Sequence, residues 1–93
     1  MKGGTAMQLK IVLPELTQKM TEDLYRAPFD VHVQYVLMDY LEILHLVNEI
    51  YHLPDDEYPD AERKAVKAIR AFLQGHETIE GLKTRLMAIL EEV

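Results

Sequence analysis

Two copies of the pattern Glu-x-x-His supply the residues of this chain that are best suited to bind a metal. Glu42 pairs with His45 and Glu49 pairs with His52, so each copy places a carboxylate and an imidazole on adjacent turns of a helix. Di-iron carboxylate bundles use such pairs as ligands, but there the two pairs come from different helices. Here both pairs lie on one segment, and their centres are about 10 Å apart along a helix axis.

Two interpretations of this Glu/His stripe are open. A second copy of the chain, packed antiparallel, could bring the two pairs together and form a metal-binding bundle. Alternatively, the Glu and His side chains form the polar arc of an otherwise apolar helix and contact solvent. We favour the second interpretation, so the sequence predicts no metal and no cofactor, and the metal-binding bundle is the alternative.

The chain lacks the groups on which nucleophilic catalysis depends. It contains neither Ser nor Cys, which excludes Ser-His-Asp and Cys-His arrangements for its four His residues. Its densest cluster of carboxylates, Asp55, Asp56 and Glu57, lies in a Pro-rich segment typical of a solvated loop. No Gly-rich phosphate-binding loop is present. We therefore expect no catalytic residues and a protein that is not an enzyme.

A basic face on residues 61–74 is the feature that could bind nucleic acid. Arg63, Lys64, Lys67 and Arg70 recur there at helical spacing. However, the chain has a net charge of −6, and no aromatic residue is interleaved with these bases. Nucleic-acid-binding domains are typically basic, so we expect that no nucleic acid binds and that this face is solvated or paired with acids.

The stretch Val31–Leu53 must position the Glu and His residues, and the rest of the chain must pack around it. Fifteen of its 23 residues are apolar or Tyr, and its polar residues recur at intervals of three, four or seven. This period is helical, and the apolar arc covers more than half of the circumference. Such a helix is roughly 34 Å long. The face predicted to point inward consists of Val33, Val36, Leu37, Tyr40, Ile43, Leu44, Val47 and Tyr51.

Apolar stripes on either side of this stretch predict three more helices. Residues 14–26 form one, and Met7–Leu13 is either a short strand or the first turns of the same helix, kinked at the proline that follows. We favour a helix or an extended lead-in, because the chain has no second strand to pair with it. Residues 61–74 form the third helix, which Gly75 ends, and Thr78 caps the fourth.

The predicted fold is therefore all-α, a small four-helix bundle around a long central apolar helix at about 31–53. A single domain of residues 7–93 follows a disordered tail of residues 1–6, which contains two glycines and no apolar pattern. A domain this small gains stability from association with a second copy.

Apolar residues that two neighbouring helices would leave uncovered indicate a partner surface on the central helix. Tyr35, Met38, Leu41 and Leu46 lie outside the main inward face. The charges are also separated, since residues 31–60 carry seven acids and no base, and the next fifteen residues carry four bases and one acid. A two-fold pairing could set one block against the other in both directions. We therefore expect a homodimer, another protein partner, or both.

A cytoplasmic location is expected from three features. The chain contains no Cys, and its first twenty residues lack the apolar run of a signal peptide. The long apolar segment carries Asp39, Glu42 and Glu49 near its middle, and each of these would be costly in lipid. We therefore expect no membrane association.

The run from Ile50 to Gly75, IYHLPDDEYPDAERKAVKAIRAFLQG, is similar to nuclease-colicin immunity proteins. Those proteins are also small, acidic and helical, with a Tyr-Pro pair before the last helix, here Tyr58-Pro59. The resemblance implies an inhibitor that neutralises a toxin, although the strong helix predicted after Gly75 departs from the family pattern. The predicted function is thus a small acidic non-enzymatic interaction or regulatory bundle that self-associates, with an immunity-type inhibitor as one specific form.

Overall fold

Four α-helices make up the part of the chain that the computed structural model describes, residues 2–26 and 31–92. No strand occurs in these residues, and the helices pack into a body of 45 × 23 × 21 Å. The predicted all-α four-helix bundle is therefore confirmed. The helices are α1 (Lys2–Arg26), α2 (Val31–Tyr51), α3 (Tyr58–Leu73) and α4 (Ile79–Glu91).

Helices α1 and α4 lie on opposite flanks of α3. Helix α1 packs chiefly against α3, and α4 packs against both α3 and α2, whereas no contact joins α1 to α4 within the described residues. Helix α2 contacts all three other helices, as a central helix must, but its contacts with α1 and α3 are sparse. The most enclosed helix is α3, which the sequence pattern did not single out.

Small and aliphatic side chains allow α3 to contact the three other helices. Three buried alanines keep the helix narrow, so that the axes of neighbouring helices can approach closely. The helix begins at Tyr58, three residues before the predicted start, because Pro59 stands in its first turn with a backbone angle already suited to a helix. The buried residues of α3 are Ala61, Glu62, Ala65, Val66, Ala68, Ile69 and Phe72.

The inward face of α2 is centred on four buried residues, Tyr40, Ile43, Val47 and Ile50, at alternating spacings of three and four. Val36 is half-buried and packs against them. This spacing is the heptad pattern of helices that pack nearly parallel to one another. The predicted inward positions of Val36, Tyr40, Ile43 and Val47 are thus confirmed.

Three other residues of the predicted inward face point outward instead. Leu37, Leu44 and Tyr51 are exposed by 43 %, 40 % and 39 %. The ring of Tyr51 contacts that of Tyr58 at the start of α3, and the sparse contacts of α2 with α1 and α3 leave all three residues partly uncovered. The prediction assumed neighbours on both sides of α2, and only the α4 side has an extensive one. The side chain of Val33 lies outside the described residues.

Helix α1 is continuous through its proline. Met7–Leu13 is helical, so the strand alternative is wrong. Pro14 lies in the helix interior and supplies no N–H, which leaves the carbonyl of Lys10 without its helical partner. Both residues are exposed, so water can satisfy that carbonyl. The backbone of residues 2–6 continues the helix where a disordered tail was predicted, and the domain boundary at residue 7 stays a prediction.

Both predicted signals at the α3–α4 connection are confirmed. Gly75 has a φ of +80°, and the N–H of His76 donates to the carbonyl of Ala71 at 2.8 Å, which is the long bond of a Schellman motif. The hydroxyl of Thr78 accepts a hydrogen bond from the N–H of Gly81 at 3.0 Å and so caps α4. These local signals fix the direction in which α4 returns along α3.

Two tyrosine hydroxyls are held by carboxylates next to the core. Tyr40 on α2 donates to the Asp23 carboxylate on α1, and Tyr58 donates to Oε2 of Glu62 at 2.8 Å. Burial raises the pKa of both phenols well above the usual range, and the neighbouring carboxylate raises each further. Glu62 is itself fully buried, and its other oxygen, Oε1, has no hydrogen-bond partner among the described residues.

The burial of Ile43 can be tested against Ile11, the same residue type at an exposed position on α1. Ile43 is 0 % exposed and Ile11 is 54 % exposed. Ile43→Ala should lower the free energy of unfolding by roughly 2–5 kcal/mol, because it leaves a cavity in the core. Ile11→Ala should change it by no more than about 0.5 kcal/mol. Equal effects of the two changes in urea titration would mean that α2 presents a different face to the core.

The burial of Tyr40 predicts a loss of stability in alkali. The phenol ionises near pH 10.0 in the unfolded chain, whereas its raised pKa in the folded protein keeps the proton bound. Its contribution to stability is therefore complete below about pH 10 and is lost above it, by up to about 1.4 kcal/mol per pH unit. In urea titrations between about pH 9.5 and 11, the free energy of unfolding of Tyr40→Phe should fall less steeply with pH than that of wild type. Tyr25→Phe changes a residue that is 86 % exposed, so it should show the same fall with pH as wild type. A wild-type pH dependence in Tyr40→Phe would contradict the prediction.

Candidate interaction surface

The outward side of α2 carries a continuous apolar surface. The inward face is centred on Ile43 and Val47, so large apolar side chains elsewhere on the N-terminal half of the helix project into solvent. Tyr35, Met38, Leu41 and Leu44 follow one another at intervals of three residues, and Leu37 lies four residues before Leu41, so each member has a neighbour on the helix surface. Each member is at least 40 % exposed. We call this surface the α2 patch, and it comprises Tyr35, Leu37, Met38, Leu41 and Leu44.

Three of the four residues predicted to form a partner surface lie in the α2 patch and are exposed. The fourth, Leu46, is half-buried and packs against the core on the side of α2 that faces α4. Leu37 and Leu44 were predicted to point inward and are instead part of the patch. A helical wheel identifies the apolar arc but does not indicate which of its two flanks a neighbouring helix covers.

An ion-pair cluster holds α2 against α4 beside the patch. The Nζ of Lys83 lies 2.9 Å from the Asp39 carboxylate, 2.9 Å from the Glu42 carboxylate and 3.5 Å from the Glu80 carboxylate. The Lys83 side chain is only 15 % exposed, and the hydrogen bonds that it donates to Asp39 and Glu42 raise its pKa. The two acids nearest to the α2 patch therefore share one cation from α4, which offsets part of their negative charge.

The four residues of the Glu/His stripe do not converge within one chain. Glu42 is paired with Lys83, and the Nε2 of His45 lies 3.4 Å from a Glu49 carboxylate oxygen. His52 makes a separate hydrogen bond through its Nδ1 to the backbone carbonyl four residues earlier, at 2.7 Å. Among the side chains that the structure describes, no three His, Asp or Glu residues are grouped as metal ligands would be. A metal site on this stripe would need a second copy of the chain.

The basic face of α3 points away from the α2 patch. Lys64 and Lys67 lie on the side of α3 next to α4, where both line a cavity, and Arg70 is exposed. Lys64 is paired with Asp60 at 3.3 Å and with Glu92 at 2.7 Å. Lys67 and Arg70 have no carboxylate within ion-pair distance in the described part of the chain. The acidic and basic blocks thus meet at Asp60, and Lys67 and Arg70 remain unpaired beyond it among the described residues.

Comparison with known proteins leaves the structure itself as the basis for a function. No protein-family model, curated protein or solved structure matches this chain. The resemblance to immunity proteins is carried by Tyr58-Pro59, which is half-buried at the start of α3, where Tyr58 bonds to Glu62. These two residues serve the fold of this chain, so the implied inhibitor function gains no support from them. Within residues 2–26 and 31–92, no helix combines the length and the apolarity needed to cross a membrane.

A double substitution tests whether the Glu/His stripe binds metal. Because His45 and His52 are exposed, changing both to Ala should alter the free energy of unfolding by no more than about 0.5 kcal/mol for each residue. Calorimetric titration with Zn²⁺ or Fe²⁺ should give the same weak signal for the double variant, for wild type and for His76→Ala, which removes an exposed His outside α2. Stoichiometric metal binding that the double change alone abolishes would establish the metal-binding alternative.

Proposed function

We propose that this chain is a non-enzymatic protein-interaction domain that associates with a second copy of itself through the α2 patch. The observation that supports this is the exposure of five large apolar side chains in one continuous surface on one helix. The largest contiguous apolar surface of a monomeric protein is typically roughly 300–600 Å² and is often a binding site. The cytoplasmic location expected from the sequence is part of the same proposal.

The area of the α2 patch matches what a two-fold dimer needs. Aromatic side chains bury roughly 150–250 Å² each. With the same range applied to the four Leu and Met residues, five side chains exposed by about two-fifths to three-fifths amount to roughly 500 Å². In a two-fold contact the same surface is buried on both copies, which gives roughly 1,000 Å² in total. That value is about the lower limit for a specific interface between two proteins. A second copy of the chain could therefore cover the patch and form an interface of the smallest specific size.

The charges around the patch are compatible with this contact. A two-fold axis through α2 brings the same surface of each copy together, so unpaired acids there would repel one another. Asp39 and Glu42 share Lys83 of their own chain, which offsets one of their two charges and so reduces this repulsion. The basic face of α3 points away from α2, so it does not supply the partner charges that the sequence analysis expected. Association through the patch is mainly apolar and depends only weakly on salt.

The position of the patch along α2 separates this proposal from the metal-binding alternative. An apolar contact between antiparallel α2 helices places the two-fold axis near Leu41, within the patch. A contact that combined the Glu/His pairs of two copies would place it near Val47, the middle of the Glu/His stripe. These positions are six residues apart, or about 9 Å along the helix. With the axis near Leu41, the two copies of His45 are about 12 Å apart along the helix and those of Glu49 about 24 Å apart, so the Glu/His pairs do not combine, although Glu42 lies next to the axis.

Sedimentation equilibrium at tens of micromolar tests the proposal. Wild type should be a dimer, and Leu41→Glu and Met38→Glu should shift it to the 10.8 kDa monomer with unchanged helical content by circular dichroism. Each change places a charge in the apolar contact. Ile11→Glu is the matched control, because Ile11 is an apolar residue on α1 with an exposure close to that of Leu41. Leu46→Glu is unsuitable, because Leu46 packs against the core.

Two results would contradict the proposal. The first is a single 10.8 kDa species for wild type across the whole concentration range. The second is a dimer that Ile11→Glu dissociates as fully as Leu41→Glu does, since this would place the contact on α1 or show that added charge alone drives dissociation.

A further inference from the structure

A groove runs between the exposed sides of α3 and α4. It consists of two adjoining cavities of about 240 Å³ and 150 Å³ that share Lys64, Ile89 and Glu92 in their walls. In the larger cavity, the apolar lining comes from Ala68 and Ile89, which are buried, and from Ala88, which is exposed. The short side chains of the two alanines leave the space open. We call the whole groove the α3–α4 groove, and its larger cavity is the part considered below as a binding site.

Basic side chains surround this apolar lining. Lys64 and Lys67 come from α3 and Arg85 comes from α4. Lys64 is paired with Glu92 across the groove at 2.7 Å, and Arg85 is paired with Glu77 at 2.7 Å. Lys67 has no carboxylate partner in the described part of the chain, which leaves a cationic group at the rim available to a ligand.

The basic surface extends beyond the groove along α3. Arg70 follows Lys67 by one turn, is exposed, and also lacks a carboxylate partner among the described residues. Two unpaired bases one turn apart give this side of α3 a local positive charge in a chain with a net charge of −6. They mark this side of the bundle as complementary to an anionic surface.

We infer that the α3–α4 groove binds an acidic segment of a partner protein. One aliphatic side chain of that segment enters the apolar cavity, and its flanking carboxylates contact Lys67 and Arg70. A cavity of about 240 Å³ has room for an aliphatic side chain, and the alanines and Ile89 that line it are apolar. The charged rim then fixes the orientation of the segment and favours acidic over basic partners.

A protein segment fits this surface better than a nucleic acid does. Asp60, Glu77 and Glu92 stand among the bases and would repel a continuous phosphate backbone. An acidic peptide can place its carboxylates only where the bases are and can leave the apolar cavity to an uncharged side chain. A phosphate backbone offers no apolar side chain that could fill the small apolar cavity.

The groove is separate from the α2 patch. Helix α4 faces α2 through Lys83, whereas Arg85 and Ala88 line the groove on its α3 side. The inference therefore goes beyond the proposed self-association and does not depend on it. In a dimer that forms through α2, each copy presents its own groove.

Fluorescence polarisation with the full chain tests the inference. The probe is a fluorescein-labelled acidic peptide with Leu at every third or fourth position, compared with a peptide of the same length in which Lys replaces each acid. A labelled single-stranded DNA of equal charge is the third probe. The acidic peptide should bind, and Lys67→Glu and Ala88→Phe should each weaken it by about tenfold, the first by repulsion and the second by filling the cavity.

Two controls make the result specific. Lys10→Glu changes the net charge as Lys67→Glu does but lies on α1, and it should alter the affinity by less than about twofold. Leu41→Glu, which disrupts the α2 patch, should bind the peptide as wild type does. Absence of peptide binding up to millimolar concentration would overturn the inference, as would equal losses in Lys10→Glu and Lys67→Glu. DNA binding as tight as peptide binding, unaffected by Ala88→Phe, would assign the surface to phosphates instead.

Discussion

The narrowness of α3 is the constraint on which the rest of the bundle depends. Ala61, Ala65 and Ala68 are buried along a helix that contacts all three others, and larger residues at these positions would push its neighbours apart. Helices α1 and α4 take the two flanks of α3 and do not meet in the described residues. Helix α2 therefore packs extensively only against α4, and its side next to α1 stays open. The exposed apolar surface of α2 is thus a consequence of how the other three helices pack.

The ion-pair cluster around Lys83 determines what this open surface can do. A helix with an exposed apolar face and unpaired acids would repel a second copy of itself, whereas Asp39 and Glu42 are paired with Lys83. The same ion pairs hold the middle of α2 against α4, so the helix that carries the patch is fixed to the rest of the bundle. On the α3 side, the unpaired Lys67 and the apolar cavity beside it form a second surface of different chemistry. One chain therefore carries an apolar surface on α2 and, between α3 and α4, a groove with bases at its rim.

The sequence predicted those parts of the structure that depend on local signals. The helix count follows from apolar periodicity, and Gly75 and Thr78 act as predicted because stop and cap signals require only a few neighbouring residues. Burial depends on tertiary packing, which is why Leu37 and Leu44 were placed inward and Leu46 outward. The Lys83 cluster joins residues about 40 positions apart, and no spacing rule connects them. Three of the five α2 patch residues were still predicted, because the apolar arc of α2 is wider than its neighbours can cover.

Disulfide cross-linking most directly tests whether the two copies meet at the α2 patch, because the chain contains no Cys of its own. Leu41 and Asn48 are both exposed and lie one heptad apart on the same side of α2. With the two-fold axis near Leu41, antiparallel copies bring Leu41→Cys within disulfide range and hold Asn48→Cys about 20 Å from its counterpart. The account predicts rapid cross-linking of Leu41→Cys and none of Asn48→Cys. Faster cross-linking at position 48 would place the contact at the Glu/His stripe, and equal slow rates at both positions would show that α2 is not the interface.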